Sequence, residues 1–229
     1  MKWPAGRPAK NAPPPLLVGA HYDTVEASPG ADDNASALAV MLEAADRLRH
    51  MSVARPVWLV AFCLEEQGLL GSRAFVSGLK RTGQALHGAI ILECVGYASQ
   101  DAGSQRTPPG VPIPVPSVGN FLGIVGNEAS RDLISSLERS ARRAAPTTPT
   151  VTLTVPSQGE GLPDVRRSDH AAFWDEGYCA VMLSDTANFR NPHYHQSTDT
   201  LDTLNFDFLA GVSDLVVGCV EDLAGASGG

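Results

Sequence analysis

The sequence is poor in cysteine and in basic residues, and it lacks a long apolar run. None of its four cysteines forms a C-x-x-C pair, which argues against a structural zinc finger. No apolar run approaches the roughly 20 residues that span a bilayer. Lys and Arg total 17 against 25 Asp and Glu, and the basic residues are scattered. The sequence therefore predicts neither a nucleic-acid nor a membrane partner, and its acidity is compatible with a cationic group such as a peptide N-terminus.

The cysteines and the N-terminus bear on compartment and domain limits. Three cysteines lie in apolar runs, where buried free thiols are expected, although a Cys63–Cys94 disulfide stays open. Residues 1–15 are rich in Pro and Ala and lack an apolar core. They are predicted to be an N-terminal extension without a signal peptide, which favours a cytoplasmic location. Residues 16–229, in a chain with 43% hydrophobic content, suffice for one domain.

Apolar runs alternate with amphipathic stretches along the chain. The predicted strands are 16–21, 56–64, 86–95, 121–125, 150–155 and 180–184, and the predicted helices are 33–49, 71–81, 128–144, 169–176 and 206–223. This alternation indicates βαβ units and a mostly parallel sheet. In such sheets, ligands bind beyond the carboxyl ends of the strands.

Acidic and imidazole side chains stand at those strand ends. They are His21 and Asp23 after the first strand, Glu65 and Glu66 after the second, and Glu93 within the apolar third. Nitrogen and carboxylate donors of this kind suit zinc. Taken singly, each position has another explanation, because paired glutamates also occur in solvated turns and the third strand could end before Glu93.

Three further segments carry candidate groups. PGADDNAS opens the first predicted helix, SDHAAFW opens the fourth, and NPHYHQSTDT follows the last strand. Asp, Asn and Ser at helix starts are also favoured as N-caps, which explains part of the first two segments without any ligand. Only the recurrence of such groups at the sheet ends favours a shared metal site.

Five ordered blocks resemble a known enzyme family. GAHYDT, PGADDNAS, EEQGLLGS, SDHAAFW and HYHQSTDT are similar to blocks of the zinc-dependent exopeptidase family of bacterial leucyl-type aminopeptidases, which also contains glutamate carboxypeptidases and glutaminyl cyclases. The resemblance runs from Leu16 to the C-terminus. It implies an α/β fold in which residues 16–229 form a single catalytic domain, a three-layer sandwich whose central, mostly parallel mixed β-sheet is flanked by helices.

The resemblance also implies a set of metal ligands. His21, Asp33 and Glu93 would bind one Zn²⁺, and Asp33, Glu66 and His195 a second, with Asp33 bridging the two ions. Asp33 matches the fourth residue of the G-A-x-D block. His195 stands four residues before an aspartate, as in the family's H-x-x-x-D block.

Three other roles are implied in the same way. Glu65 would be the general base, Asp23 would hold the His21 ring, and His170 is expected to help polarise the substrate. The expected function is hydrolysis of the N-terminal residue from peptides with a free N-terminus. The alternatives are a single-zinc glutaminyl cyclase, a carboxypeptidase that uses Arg166, Arg167 or Arg190 to bind a terminal carboxylate, and a non-catalytic binding domain.

This sequence departs from the family pattern in three places. Glu93 stands where aspartate is frequent, and Ala37 replaces the glycine usual after DNAS. The chain before Leu16 is shorter than in many relatives. An uncovered sheet edge is therefore possible, and a homo-oligomer is a candidate arrangement for covering it.

Overall fold

A computed structural model describes residues 12–225, 227 and 228. Most of the predicted N-terminal extension, residues 1–11, lies outside the described part. The strands are β1 (Leu16–His21), β2 (Met51–Ser52), β3 (Val57–Phe62), β4 (Gly88–Glu93), β5 (Leu122–Asn127), β6 (Thr150–Val155), β7 (Ala180–Ser184) and β8 (Ser227–Gly228). The helices are α1 (Ala37–Leu48), α2 (Leu70–Thr82), α3 (Arg131–Ala144), α4 (His170–Asp175) and α5 (Phe206–Ala224).

Six strands form one mixed sheet in the order β3-β1-β4-β7-β5-β6. β3, β1, β4 and β7 are parallel neighbours, β5 runs antiparallel to β7, and β6 is parallel to β5. Every residue of β1 is buried, as expected for an apolar strand covered on both faces. β2 and β8, which the sequence pattern did not predict, form a separate two-residue ribbon.

Helices cover both faces of the sheet, which confirms the predicted three-layer sandwich. Leu16 and Val18 of β1 pack in the core that contains residues of α1, α3 and α5. Leu17 packs in the second core, which contains residues of α2 and α4, because neighbouring strand residues face opposite sides. None of the described helices is long and apolar enough to cross a membrane.

The start of the first helix differs from the prediction. Helix α1 begins at Ala37 rather than at Asp33, and residues 31–36 form a separate turn in which Asp33 and Asn34 have non-helical dihedral angles. The Asn34 side chain donates to the Leu92 carbonyl and accepts from the Cys94 backbone N–H. These two bonds connect the turn to the backbone on either side of Glu93. The short polar side chain of Asn34 thus satisfies the Leu92 carbonyl and the Cys94 N–H.

The remaining predicted elements lie within a few residues of the observed ones. Cys63 and Cys94 are both free thiols, so the disulfide that the sequence left open is not formed.

Candidate metal centre

The predicted ligands meet at the carboxyl edge of the parallel part of the sheet. His21 and Glu93 end β1 and β4, Glu66 follows β3, and His195 lies in the loop after β7. Asp33 comes from the turn before α1. Because β1 lies between β3 and β4, the three strand ends bring their side chains to one place.

The first group of donors consists of His21, Asp33 and Glu93. The His21 Nε2 atom lies 3.1 Å from Asp33 Oδ1 and 3.5 Å from Glu93 Oε2. All three residues are buried. The extra methylene of Glu93, relative to the aspartate frequent in the family, therefore does not prevent its carboxylate from reaching His21.

The second group consists of Asp33, Glu66 and His195. The His195 Nε2 atom lies 3.0 Å from Asp33 Oδ2 and 3.1 Å from Glu66 Oε2. Asp33 thus presents one carboxylate oxygen to each group. This division is what a carboxylate bridging two metal ions requires.

These residues fit a pair of zinc ions. The buried atoms His21 Nε2, both Asp33 oxygens, Glu66 Oε1 and His195 Nε2 have no hydrogen-bond partner among the described residues. Buried polar atoms without partners are costly, and a cation would satisfy them. Tetrahedral Zn–N and Zn–O bonds of about 2.0–2.1 Å place neighbouring ligand atoms about 3.3 Å apart, close to the observed separations.

The charges of the cluster show the same need for a cation. Burial lowers the pKa of His21, but Glu93 and Asp33 outweigh burial and raise that pKa to about 12. Burial and the nearby charge of Asp33 raise the pKa of Glu66 to about 7. Without a metal, the cluster therefore holds protons that a dication would displace.

Glu65 is a carboxylate beside this cluster that belongs to neither group of donors. Glu65 is only 7% exposed. Burial, and to a lesser extent the nearby charge of Glu93, raises its pKa to about 9. Bound cations nearby would favour its ionised form. A buried carboxylate whose pKa depends on the local charge is suited to accept and release a proton.

Asp23 contacts the His21 ring through its backbone carbonyl, and its carboxylate has other partners. The His21 Nδ1 atom lies 2.9 Å from the Asp23 backbone carbonyl and 3.8 Å from Asp23 Oδ1, so the carbonyl is the group that orients the ring. The Asp23 carboxylate accepts the backbone N–H groups of Glu65 and Glu66, at 3.2 and 3.3 Å. Asp23 therefore fixes the loop that carries the candidate base and a candidate ligand.

His170 does not occupy the position that its expected role requires. Its ring is fully buried, Nε2 donates to the Val165 carbonyl at 2.7 Å, and the ring packs edge-to-face on Trp174. Residues four apart share one face of a helix, and that face of α4 is turned to the core. In the same block it is Ser168 that contacts the site, because its Oγ donates to Glu93 Oε2 at 2.7 Å.

Burial makes His170 a source of acid lability. Burial lowers its pKa from 6.5 to about 4, so the unfolded chain binds a proton between these values and the folded chain does not. The free energy of unfolding is expected to fall by about 3 kcal/mol from pH 7 to pH 4 because of this residue. Urea unfolding of the wild type and His170→Gln, which keeps a donor but does not titrate, measures the difference. Equal pH dependence of the two proteins would refute this assignment.

Asp32 and Asp199 are buried and stabilise the turn of residues 31–36 that carries Asp33. Asp32 accepts from the Gly96 N–H and from Asn191 Nδ2, so its oxygens are already used, whereas those of Asp33 are free of such bonds. Asp199 accepts the backbone N–H groups of Asp32 and Asp33 at 2.9 and 3.2 Å. In the sequence, Asp199 is only the aspartate four residues after His195, and its contact with the turn was not predicted.

The model of peptidase family M28 matches residues 2–220. The chain belongs to this family. Its relatives include the uncharacterized protein YfbL of Escherichia coli K12, with 33% identity over 89% of this chain and 65% of that protein. Leucine aminopeptidase 1 of Trichophyton equinum is 28% identical over 93% of this chain and 55% of its own length.

Solved structures share the M28 fold. A zinc aminopeptidase from Bacillus subtilis matches with a TM-score of 0.68 and 26% identity, over 93% of this chain and 46% of its own. The glutaminyl cyclase of Porphyromonas gingivalis matches with a TM-score of 0.67 and 18% identity, over 93% and 74% of the two chains; at that identity the likeness shows the fold alone. This M28 chain spans about half to two thirds of the length of its curated relatives.

An apolar pocket adjoins the candidate metal centre. It has a volume of about 110 Å³ and reaches Glu93 and Tyr194. Its walls come from β5–β7 and from the loops around residues 105–115 and 164–167, and they include Val111, Ile113, Phe121, Val125, Leu153 and Met182. The loop parts of these walls belong to two segments without strand or α-helix, residues 99–119 and 156–167.

Proposed function

We propose that this chain is a two-zinc aminopeptidase that removes an apolar N-terminal residue from peptides. The proposal rests on the position of the Asp33 carboxylate. One of its oxygens faces His21 and Glu93, and the other faces Glu66 and His195. An apolar pocket lies next to this arrangement. Membership of a peptidase family and a leucine aminopeptidase relative support the same reading.

Each residue has a defined part in this function. His21, Asp33, Glu93, Glu66 and His195 would hold the two zinc ions. Zinc in such a site supplies Lewis-acid polarisation and lowers the pKa of a water towards neutrality.

The protein's own groups then move the proton and orient the substrate. Glu65 accepts the proton of the attacking water and gives it to the nitrogen of the leaving amine. Tyr194 lines the pocket, and its ring stacks on the candidate ligand His195. Its hydroxyl donates to the substrate carbonyl oxygen as negative charge develops there. Asp23 keeps the Glu65–Glu66 loop in place through the backbone.

Among the residues that the structure describes, the pocket offers a carboxypeptidase no basic side chain that lacks a partner. Arg190 is buried, and it donates to Gln105 and to the Phe121 carbonyl. Arg166 pairs with Asp175. Arg167 reaches the pocket, but its guanidinium already donates to Asn188 and Tyr194.

The pocket predicts a preference for apolar first residues. Burying a leucyl side chain gains about 1.5–3 kcal/mol, whereas an aspartyl carboxylate would lose its hydration there. We expect kcat/KM for leucyl-p-nitroanilide to exceed that for aspartyl-p-nitroanilide at least about a hundredfold. Equal values for the two anilides would contradict the assignment of this pocket to the first residue.

Mass spectrometry of peptide products tests hydrolysis against cyclisation. Zinc-loaded protein is incubated with a Leu-Gly-Gly peptide and, separately, with a Gln-Gly-Gly peptide. A peptidase releases free leucine and the shortened peptide. Loss of ammonia from the glutaminyl peptide, with the leucyl peptide intact, would instead establish a cyclase and overturn the proposal.

A further inference from the structure

The inference concerns Arg167, and it rests on the proposed function. Arg167 lies at the end of the 156–167 loop, beside the pocket and next to Tyr194. Its Nη2 atom donates to the Tyr194 hydroxyl oxygen at 3.1 Å, and its Nη1 atom donates to Asn188 Oδ1 at 2.7 Å. Arg167 thereby joins two loops at the rim of the pocket.

The direction of the bond to Tyr194 is fixed by chemistry. A guanidinium group has donors but no acceptor, so the phenol oxygen must accept. The phenol proton is then free for another oxygen, and the described residues offer Tyr194 no hydrogen bond that uses it. The Tyr194 ring stacks on the His195 imidazole with centroids 3.9 Å apart and planes 16° apart, which fixes the ring beside the metal centre.

We infer that Arg167 is a positioning residue that holds the Tyr194 hydroxyl as a donor towards the substrate carbonyl oxygen. The fork of the guanidinium links Tyr194 to Asn188, and its bond to the phenol oxygen keeps the phenol proton out of the direction that the guanidinium occupies. The guanidinium carbon also lies 5.7 Å from the Tyr194 ring centroid, a distance at which a cation attracts an aromatic face. Both contacts act on Tyr194 rather than on the metal ligands.

A double-mutant cycle on zinc-loaded protein tests this role, with leucyl-p-nitroanilide as substrate. Tyr194→Phe is expected to lower kcat by about a hundredfold, as removal of one oxyanion donor does. Arg167→Ala is expected to lower kcat by about tenfold with KM nearly unchanged, since the lost interaction belongs to the transition state. In the Tyr194→Phe background, Arg167→Ala should cost nothing more.

Three further measurements separate positioning from structural damage. Arg167→Lys, which can still donate one bond to the phenol, should recover most of the lost kcat. The phosphonic acid analogue of leucine should bind Arg167→Ala about tenfold more weakly by calorimetry, with zinc content and Tm as in the wild type. Arg131→Ala, which removes an exposed guanidinium paired with Glu128 away from the pocket lining, should keep wild-type kcat.

The outcomes that overturn the role are distinct from failure of the function. An active wild type together with an unchanged kcat in Arg167→Ala overturns the role of Arg167 alone. So does an equal loss in the wild-type and Tyr194→Phe backgrounds. A wild type that cleaves no leucyl substrate overturns the proposed function and this role with it.

Discussion

Glu65→Gln is expected to lower kcat by about a thousandfold while zinc content stays at the wild-type value, because general acid–base catalysis contributes factors of this order. Glutamine keeps the size of the side chain but cannot accept the proton. Glu65 belongs to neither donor group of the metal centre, so its loss should not release metal. Anilide hydrolysis and elemental analysis of the same sample measure both quantities.

The control for Glu65→Gln is an exposed glutamate. Glu160, in the 156–167 loop, is exposed and does not belong to the metal centre. Glu160→Gln should keep wild-type kcat. Wild-type turnover in Glu65→Gln would remove Glu65 from the role of base, whereas lost turnover accompanied by lost zinc would reassign Glu65 to metal binding.

Asp33→Ala is expected to abolish zinc binding at both positions and with it the hydrolysis. Its two carboxylate oxygens lie 3.1 Å from His21 Nε2 and 3.0 Å from His195 Nε2. These distances are close to the separation of two ligand atoms on one zinc ion. Removal of the shared carboxylate also leaves two incomplete sites, His21 with Glu93 and Glu66 with His195. Native mass spectrometry of zinc-reconstituted protein counts the ions directly.

Single-site variants distinguish a bridge from an ordinary ligand. The His195→Ala and Glu93→Ala variants should each lose about one zinc ion. His195 and Glu93 belong to different donor groups, and each is in one group only. His193→Ala is the matched control: its Nδ1 bonds to Thr198, and it lies in neither group. Retention of two ions by Asp33→Ala, or loss of an ion by His193→Ala, would contradict the proposed ligand set.

The sequence was sufficient to predict the fold and the edge of the sheet at which the candidate ligands lie. Each of His21, Glu66 and Glu93 lies at or just after the end of an apolar strand, and in a parallel sheet such positions converge. Asp33 and His195 were assigned through the family resemblance, and both lie beside the other three in the structure. The strand-end positions depend on local pattern, which a single sequence displays.

The contacts that the sequence did not predict depend on which segments, distant along the chain, lie together in the fold. Asp23 bonds to the backbone of Glu65 and Glu66 because β1 and β3 are neighbours, and no local pattern states that order. Asp199 reaches Asp33 from 166 residues away. The wrong expectation for His170 arose because a histidine next to a site block was taken to face the site, while α4 turns it onto Trp174.

Cleavage of leucyl-p-nitroanilide compared with its N-acetylated form, on zinc-reconstituted protein with and without a chelator, tests the central claim most directly. The proposed two-zinc aminopeptidase should cleave only the form with a free amine, and the chelator should abolish that cleavage. Cleavage that persists after the metal is removed, or equal cleavage of the acetylated form, would contradict it.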